Sequence, residues 1–157
     1  MEKGKQKISS TLPEKAKYAR YVVDTSAIIY KKVSKLAKKG LKGTILIPNA
    51  AIAELENLAN KGLDVGFNGL EEIAKLHRYK NLRLHFIGPR PSEHHIKYAK
   101  SGEIDALIRH LAYKQKATLI TADIVQAKSA LAYGIKVWFI RMRKPKPKKR
   151  FFFFKKR

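Results

Sequence analysis

The sequence predicts an α/β fold of three layers, with a central parallel sheet of four to five strands between helices. Short, continuous apolar runs of four or five residues alternate with segments whose apolar residues recur at helical spacing. Continuous apolar strands are typical of sheets buried on both faces, and strands that alternate with helices indicate parallel pairing. The 157 residues, of which 45% are hydrophobic, suffice for one domain with a sizeable core.

The first elements are one strand and one helix. Residues 21–23 form an apolar run with two β-branched valines, which predicts a short buried strand. Over residues 27–39 the apolar side chains recur at helical spacing, which predicts a single helix. Gly40 suits the position that closes this helix.

A second strand and two helices follow. The run TILI at 44–47 predicts the strand, and Pro48 then opens a helix over AAIAELENLANKG that stops at Gly62. A further helical segment is expected around residues 70–76. The chain then returns to the sheet with the run LRLHFI, the third predicted strand.

The remaining elements continue the alternation. For residues 91–98 the sequence favours neither helix nor strand. Ser101 and Gly102 begin a helix over EIDALIRHLAYKQK, whose apolar residues share one face. The strand TLIT, the helix IVQAKSALAY and the strand KVWFI complete the series. In such sheets ligands bind outside the carboxyl ends of the strands, so we expect the functional site there.

The charge of the chain indicates a polyanionic partner. Its 35 Lys and Arg residues against 12 Asp and Glu residues give a net charge of +23. Residues 141–157 carry ten basic and no acidic side chains, and residues 21–140 keep an excess of +9 (19 basic minus 10 acidic). Nucleic acid is the first expected partner and an anionic membrane surface the second. We therefore predict a basic N-terminal extension (1–19), a folded domain (20–140) and a basic C-terminal tail.

Several classes of protein are excluded by what the sequence lacks. The absence of cysteine rules out disulfides, thiol nucleophiles and thiolate zinc sites. No apolar run approaches the ~18 residues of a membrane span, and MEKGKQKISS lacks the apolar core of a signal peptide. A cytoplasmic protein with no transmembrane segment is therefore expected. His94 and His95 are adjacent, without a further histidine at zinc-ligand spacing, so we expect them to be surface or RNA-contact residues.

Three of the four aspartates stand where such a sheet forms its cleft. Asp24 directly follows the first strand, Asp123 follows TLIT after one residue, and Asp105 lies near the start of its helix. Glu54 lies two turns into the helix that Pro48 opens. Each acid also has an interpretation without a metal. Aspartate is a favoured N-cap and stabilises helix N-termini, and a glutamate on a helix flank is usually solvated.

Taken together, the four carboxylates suit a metal site. Carboxylates brought together repel one another and raise each other's pKa values, so the group needs cations to stay ionised. Oxygen ligands favour Mg²⁺ or Mn²⁺, which are held by a few carboxylates together with substrate phosphates. Two such ions can activate water and stabilise the leaving oxygen in phosphodiester cleavage. A basic protein with an acidic pocket fits this chemistry, because lysines hold the nucleic-acid backbone while the acids place the metal at one phosphate.

Four segments together resemble the PIN-domain nucleases: VVDTSAII, IPNAAIAELENLANKG, SGEIDALI and TLITADIVQAKSALAYGI. Their order and spacing match over about residues 20–140, and the nearest likeness is to the N-terminal PIN domain of archaeal proteins that continue into an ATPase and a KH module. The resemblance implies a three-layer PIN-like fold, Mg²⁺ or Mn²⁺ as cofactor, and single-stranded or ribosomal RNA as substrate. By motif it assigns metal binding and catalysis to Asp24, Glu54, Asp105 and Asp123.

The motifs also suggest supporting residues. Ser26 and Thr121 match hydroxyl positions that orient Asp24 or metal-bound water, and simple cap and turn bonding is an equal alternative for both. Asn57 lies one turn after Glu54 on the same flank of its helix.

Two glutamates near the four acids need to be distinguished from them. Glu54 and Glu56 are separated by roughly 200° around their helix, so only one of them can enter the cleft, and the motif selects Glu54. Glu103 precedes Asp105 by two residues, where it either stabilises the helix start or supports the metal ligands.

Basic residues predicted to contact nucleic acid are Lys61, Arg109, Lys144, Lys146, Lys148, Lys149 and Arg150. The segment KPKPKKR indicates an arm that binds phosphate with salt-dependent, sequence-independent affinity. The FFFF run beside it allows base stacking, insertion into a membrane interface or docking on another protein, and it also suits a remnant of a lost downstream region. The sequence does not choose among these roles.

Three functions follow in order of preference. The first is a metal-dependent ribonuclease. The second is a non-catalytic PIN-fold module that binds RNA or the ribosome, which the retention of all four acids disfavours. The third is the toxin of a toxin–antitoxin pair. It ranks lower because ELENLANKG and GEIDALI resemble the long archaeal proteins more. A homodimer is a further expectation from the family, and the sequence contains no GxxxxGK[ST] phosphate loop.

Overall fold

Five parallel strands form one sheet, as the sequence predicts. The computed structural model describes residues 19–100 and 102–143. Its strands are β1 (Arg20–Val23), β2 (Gly43–Pro48), β3 (Leu82–Ile87), β4 (Thr118–Thr121) and β5 (Val137–Phe139). They lie in the order β3-β2-β1-β4-β5, and every neighbouring pair is parallel. The central strand is β1, in which Tyr21 pairs with Ile45 on one side and Val23 with Ile120 on the other.

Helices cover both faces of this sheet. They are α1 (Thr25–Ile29), α2 (Lys32–Lys38), α3 (Asn49–Asn60), α4 (Asp64–Leu76), α5 (Glu93–Tyr98), α6 (Glu103–Lys114) and α7 (Ile124–Ala132). Helices α1 to α4 pack against one another, whereas α6 packs on β1 and β4 and α7 on β4 and β5. Because parallel crossovers are right-handed, these two groups take opposite faces. Every helix in the described part of the chain is too short or too polar to span a bilayer.

The core explains why the end of β1 is rigid. Tyr21, Val22 and Val23 are all buried, between β2 and β4 and beneath helices on both faces. At the end of this apolar run, the backbone N–H of Asp24 still donates to the carbonyl of Ile120 at 2.9 Å. The first polar residue after β1 is thereby fixed to the neighbouring strand.

The helix predicted over residues 27–39 is divided into α1 and α2. Lys31, between them, takes a left-handed backbone conformation with φ of 53°. The buried carboxylate of Glu72, on α4, accepts hydrogen bonds from the backbone N of Ser34 at 2.9 Å and from its Oγ at 3.1 Å. Glu72 thus caps the N-terminus of α2 from a distant helix, which stabilises the break.

Helix α4 begins six residues before the segment predicted at 70–76. Gly66 and Gly69 lower the helix propensity of its first turns. Both are needed for packing, because a Cβ on Gly66 would lie 2.6 Å from the carbonyl oxygen of Leu55, and one on Gly69 would lie 3.0 Å from Leu55 Cδ1. The glycines therefore mark close contact between α3 and α4 rather than a loop.

Residues 91–98, for which neither structure was favoured, include the short helix α5. The Oγ of Ser92 caps it by accepting from the backbone N of His95 at 3.1 Å, and none of its residues is buried. Residues 1–18, Ser101 and the tail from residue 144 lie outside the described residues, so the division into extension, domain and tail stays a prediction.

Candidate metal centre

The strand order places a cleft at the carboxyl ends of β1 and β4. From β1 the chain proceeds to β2 on one side, and β4 lies on the other side, so the connections after β1 and β4 diverge. Such a switch point is where parallel sheets bind ligands. Asp24 is the first residue after β1, and Asp123 is the second residue after β4. Two of the four predicted acids therefore flank this point.

Asp24 is held by two hydroxyl groups. Asp24 is only 2% exposed. Its Oδ2 accepts hydrogen bonds from Ser26 Oγ and Thr121 Oγ1, both at 2.7 Å. Ser26 Oγ in turn accepts from the backbone N of Ala122 at 2.9 Å. Although Asp24 occupies the N-cap position of α1, its carboxylate makes no cap bond within the described residues. Its carboxylate is therefore available for a role other than capping.

Glu54 faces the same region from α3. Thr25 Oγ1 donates to Glu54 Oε2 at 2.8 Å. Burial raises the pKa of Glu54, and the charge of Asp24 raises it further, while the hydrogen bond from Thr25 opposes both. Glu56 points elsewhere and forms an exposed ion pair with Arg90. The structure therefore places Glu54, and not Glu56, among the acids.

Asp105 shows that the four acids converge. Burial raises its pKa, and the charges of Asp24, Glu54 and Asp123 raise it further, to about 6, against the opposing effect of Arg109. The four acids come from four separate parts of the chain: the ends of β1 and β4, and helices α3 and α6. The fold therefore concentrates negative charge at one edge of the sheet of a strongly basic protein.

Asp123 is the acid that also caps a helix. Its Oδ1 accepts from the backbone N atoms of Val125 and Gln126 at 2.7 and 3.0 Å, at the N-terminus of α7. Its own backbone N donates to Thr121 Oγ1 at 3.0 Å. Asp123 therefore is the N-cap of α7, and its second oxygen, Oδ2, takes no part in the cap.

A cleft of about 250 Å³ opens beside Glu54 and Asp105. Asn57 lines it, as expected of the residue one turn after Glu54, and so does Lys100, which the sequence did not single out. The cleft therefore combines two acids with a basic side chain and an amide.

The donor set fits a hard divalent cation. Within residues 19–100 and 102–143, no three His, Asp or Glu side chains stand close enough together to hold an ion as arranged. The three carboxylates near enough to raise the pKa of Asp105 nevertheless carry, together with Asp105, a surplus of negative charge that a cation would relieve. All the donor atoms that these side chains offer are oxygens, which suits Mg²⁺ or Mn²⁺. Binding such an ion would require the side chains to draw together.

Three contacts around the acids were missed from the sequence. Thr25, next to Asp24, holds Glu54. Gln126 donates through Nε2 to the backbone oxygen of Asp105 at 3.0 Å, and Arg109 NH1 donates to Gln126 Oε1 at 2.6 Å. The pattern Asp123-x-x-Gln126 is typical of a local capping box, so no signal in the sequence pointed to the contact between Gln126 and Asp105.

The other predicted residues lie away from the four acids or outside the described residues. Glu103 pairs with His95 at 3.3 Å on the surface. Lys61 is an exposed residue at the C-terminal end of α3. The tail residues predicted to bind nucleic acid, none of which the structure describes, are Lys144, Lys146, Lys148, Lys149 and Arg150.

Comparisons with known proteins show what the chain is similar to. The family model described as PIN domain matches residues 21–131. An uncharacterised KH and PIN-domain containing protein of Methanocaldococcus jannaschii is 41% identical over 123 residues, which cover 75% of this chain and 19% of that protein. The chain thus spans about a fifth of the length of this relative.

Two solved structures are similar to the chain to different degrees. A domain of a functionally unknown protein from Methanocaldococcus jannaschii superposes with a TM-score of 0.77 and 36% identity, covering 82% of this chain and 95% of that one. A PilT N-terminus domain protein from Sulfolobus solfataricus is 15% identical with a TM-score of 0.45, over 75% of this chain and 84% of that one, a similarity too weak to support an inference.

Proposed function

Because the chain belongs to the PIN-domain family, whose fold is of the nuclease type, we propose that it is a metal-dependent ribonuclease that hydrolyses phosphodiester bonds in RNA. Its Mg²⁺ or Mn²⁺ is held by Asp24, Glu54, Asp105 and Asp123. One observation carries the proposal: Thr25, next to Asp24, holds Glu54, and Gln126 contacts Asp24, Asp105 and Asp123, so acids from four distant parts of the chain lie at one edge of the sheet. Such a concentration of like charges is costly without a cation, and helix capping accounts for only one of the four acids, Asp123.

The protein's own residues supply rigidity at this site. The hydroxyls of Ser26 and Thr121 fix Asp24, and the hydroxyl of Thr25 fixes Glu54. When bound, the divalent ion activates water and stabilises charge on the phosphate. Because carboxylate oxygens preset by hydrogen bonds lose little freedom on ligand binding, Asp24 and Glu54 would lose the least freedom when the four side chains draw together around an ion.

Basic residues hold the substrate backbone in this proposal. Residues 21–140 keep a positive excess despite containing the four acids, and Lys100 lines the cleft beside Glu54 and Asp105. A phosphate next to the cation would meet the ammonium group of Lys100 within the same cleft. Single-stranded RNA is the substrate we propose, because it is the usual substrate that the resemblance to the PIN family implies.

A non-catalytic RNA-binding module is the second candidate. It is favoured by the finding that, in the part of the chain that the structure describes, no three candidate ligand side chains are already gathered around one point. In that case RNA would bind through the positive charge alone, and neither chelator nor loss of an acid would change its affinity.

The two candidates are separated by a matched pair of variants on α3. Glu54→Gln and Glu56→Gln make the same chemical change two residues apart, on opposite flanks of the helix. Purified protein with Mn²⁺ is assayed for cleavage of a labelled single-stranded RNA, with product ends mapped. If the protein is a nuclease, the cleavage rate of Glu54→Gln should fall on the order of 100-fold, while Glu56→Gln should cleave at the wild-type rate. Wild-type protein that binds RNA but cleaves none with either metal would favour the binding module.

A further inference from the structure

Gln126 contacts three of the four acids. It is 1% exposed, and its backbone N donates to Asp123 Oδ1 at 3.0 Å. Its side-chain Nε2 donates to the backbone oxygen of Asp105 at 3.0 Å and lies 3.4 Å from Asp24 Oδ1. One side chain on α7 therefore links the end of β1 to the first turn of α6.

Arg109 determines which way the amide of Gln126 faces. Arg109 NH1 donates to Gln126 Oε1 at 2.6 Å, and a guanidinium group can only donate. The amide oxygen must therefore face Arg109, which turns the NH₂ group towards Asp24. The reverse orientation would set donor against donor at Arg109 and oxygen against carboxylate at Asp24. The orientation of the amide is thus fixed by chemistry as well as by packing.

A purely helical role does not explain this side chain. In a capping box, the side chain of Gln126 would accept a hydrogen bond from the backbone N–H of Asp123. That N–H donates to Thr121 Oγ1 instead, and Asp123 caps α7 through its own carboxylate. The side chain of Gln126 is therefore free of the cap and is used to join the acids.

An amide has an advantage over a charged side chain at this position. A glutamate would add a fifth negative charge beside Asp24, and a lysine or arginine would compete with a cation for the same carboxylates. A neutral donor holds the carboxylate in place and leaves its charge for the metal.

We propose that Gln126 is a positioning residue for the metal centre: oriented by Arg109, its amide holds the carboxylate of Asp24 against the turn that carries Asp105. Both acids then present to one divalent cation. This inference rests on the proposed metal dependence of the site. It assigns Gln126 an action through Asp24 and Asp105 rather than a contact with metal or RNA.

The first test measures Mn²⁺ affinity by titration calorimetry for wild type, Gln126→Met and Gln115→Met. Gln115 is the matched control, because its Oε1 also accepts from an arginine, Arg20, at the opposite end of β1. We expect Gln126→Met to weaken Mn²⁺ binding by about 10- to 100-fold. Gln115→Met should leave it unchanged, and melting curves without metal would verify that both variants fold.

The outcomes separate this inference from the proposed function. Equal Mn²⁺ affinity in Gln126→Met and wild type overturns the positioning role alone. Wild-type protein that binds no Mn²⁺ overturns both. If wild type binds Mn²⁺ and Gln126→Met loses affinity, but wild type cleaves no RNA, the positioning role stands and only the nuclease fails.

A second measurement avoids any risk that the variant fails to fold. In ¹⁵N-labelled wild-type protein, the side-chain amide signals of Gln126 should shift on titration with Mg²⁺, and those of Gln115 should not. Signals of Gln126 that stay unchanged at saturating Mg²⁺ would contradict the inference.

Discussion

Asp24 and Asp105 show how the same side chain is given two different environments. Asp24 is buried and receives two short hydroxyl hydrogen bonds. Asp105 is half-buried, and burial and three acidic neighbours raise its pKa to about 6. At neutral pH the ionised form of Asp105 is thus held in the folded protein against repulsion, and a bound cation would remove that cost.

Asp105 gives the metal-free protein a specific pH dependence. Its folded pKa of about 6 lies above the ~3.9 of an unfolded aspartate, so the folded state binds this proton more tightly. The contribution to stability is full below pH ~4 and is lost as the pH rises through about 6. Thermal melts in EDTA should therefore show that wild type loses more stability between pH 4 and pH 7 than Asp105→Asn does.

The variant is the control for every other titrating group in this comparison. Glu54, whose pKa is also raised, is present in both proteins. Parallel loss of stability in the two proteins would show that Asp105 is not under this strain. Added Mn²⁺ should raise the melting temperature of wild type at pH 7.5 more than at pH 5, where protons already relieve the repulsion.

The connection from β4 to α7 combines a structural and a chemical task in Asp123. Its Oδ1 satisfies two backbone N–H groups of the first turn of α7, which an asparagine side-chain oxygen can also do. Metal binding by contrast needs the carboxylate charge. Two substitutions at one residue can therefore separate the tasks.

Asp123→Ala should destabilise the metal-free protein by about 1 kcal/mol, because the cap is lost. In EDTA, the free energy of unfolding of Asp123→Asn should lie within a few tenths of a kcal/mol of the wild-type value. The same variant should bind Mn²⁺ at least tenfold more weakly. Denaturant unfolding and calorimetry check the two parts. An Asp123→Asn variant with wild-type Mn²⁺ affinity would reduce Asp123 to a helix cap.

The elements that the sequence predicted well are those governed by local pattern. TLIT is a strand at the predicted residues, because its apolar run indicates a buried strand. LRLHFI is also a strand at the predicted residues, although it lies at the edge of the sheet and most of its side chains are not buried. The placement of Glu54 opposite Glu56 follows from helix geometry alone. Parallel strands predict Asp24 and Asp123 at one edge of the sheet, whereas Glu54 was selected by the resemblance to the PIN family.

The features that the sequence did not reveal depend on distant residues. The break between α1 and α2 is stabilised by Glu72, 38 positions from Ser34. The glycines of α4 are typical of a loop until α3 is seen packed against Gly66. Nothing in the sequence indicates where the side chain of Gln126 turns, because its contacts with Asp24 and Arg109 form only in the fold.

The molecule as a whole joins an acidic centre to a basic exterior. The net charge of +23 steers polyanions towards the protein, and the acids occupy one edge of a sheet within it. Affinity for RNA should therefore come from the lysines and arginines and fall with salt, whereas cleavage should depend on the four acids. These two properties can be altered separately.

Neutralising the predicted basic arm should weaken RNA binding without stopping cleavage. The variant changes five residues to Gln: Lys144, Lys146, Lys148, Lys149 and Arg150. Binding to single-stranded RNA, measured against salt, should show a slope shallower by up to roughly 0.7 for each phosphate that the arm no longer neutralises.

The matched control for this variant removes the same charge from the folded domain. It changes five exposed lysines to Gln: Lys31, Lys35, Lys38, Lys39 and Lys42. If both variants lower the affinity and the salt slope equally, net charge alone acts and the arm has no special role.

The most direct test of a carboxylate metal centre that cuts RNA is the cleavage rate of Asp24→Asn relative to wild type with saturating Mn²⁺. Asparagine keeps the size of Asp24 and an oxygen that can accept from Ser26 and Thr121, and it removes the charge. Wild type should cleave single-stranded RNA with Mn²⁺ and stop in EDTA, and Asp24→Asn should be slower on the order of 100-fold or more. Cleavage by Asp24→Asn at the wild-type rate, or equal cleavage in EDTA, would contradict the proposed site.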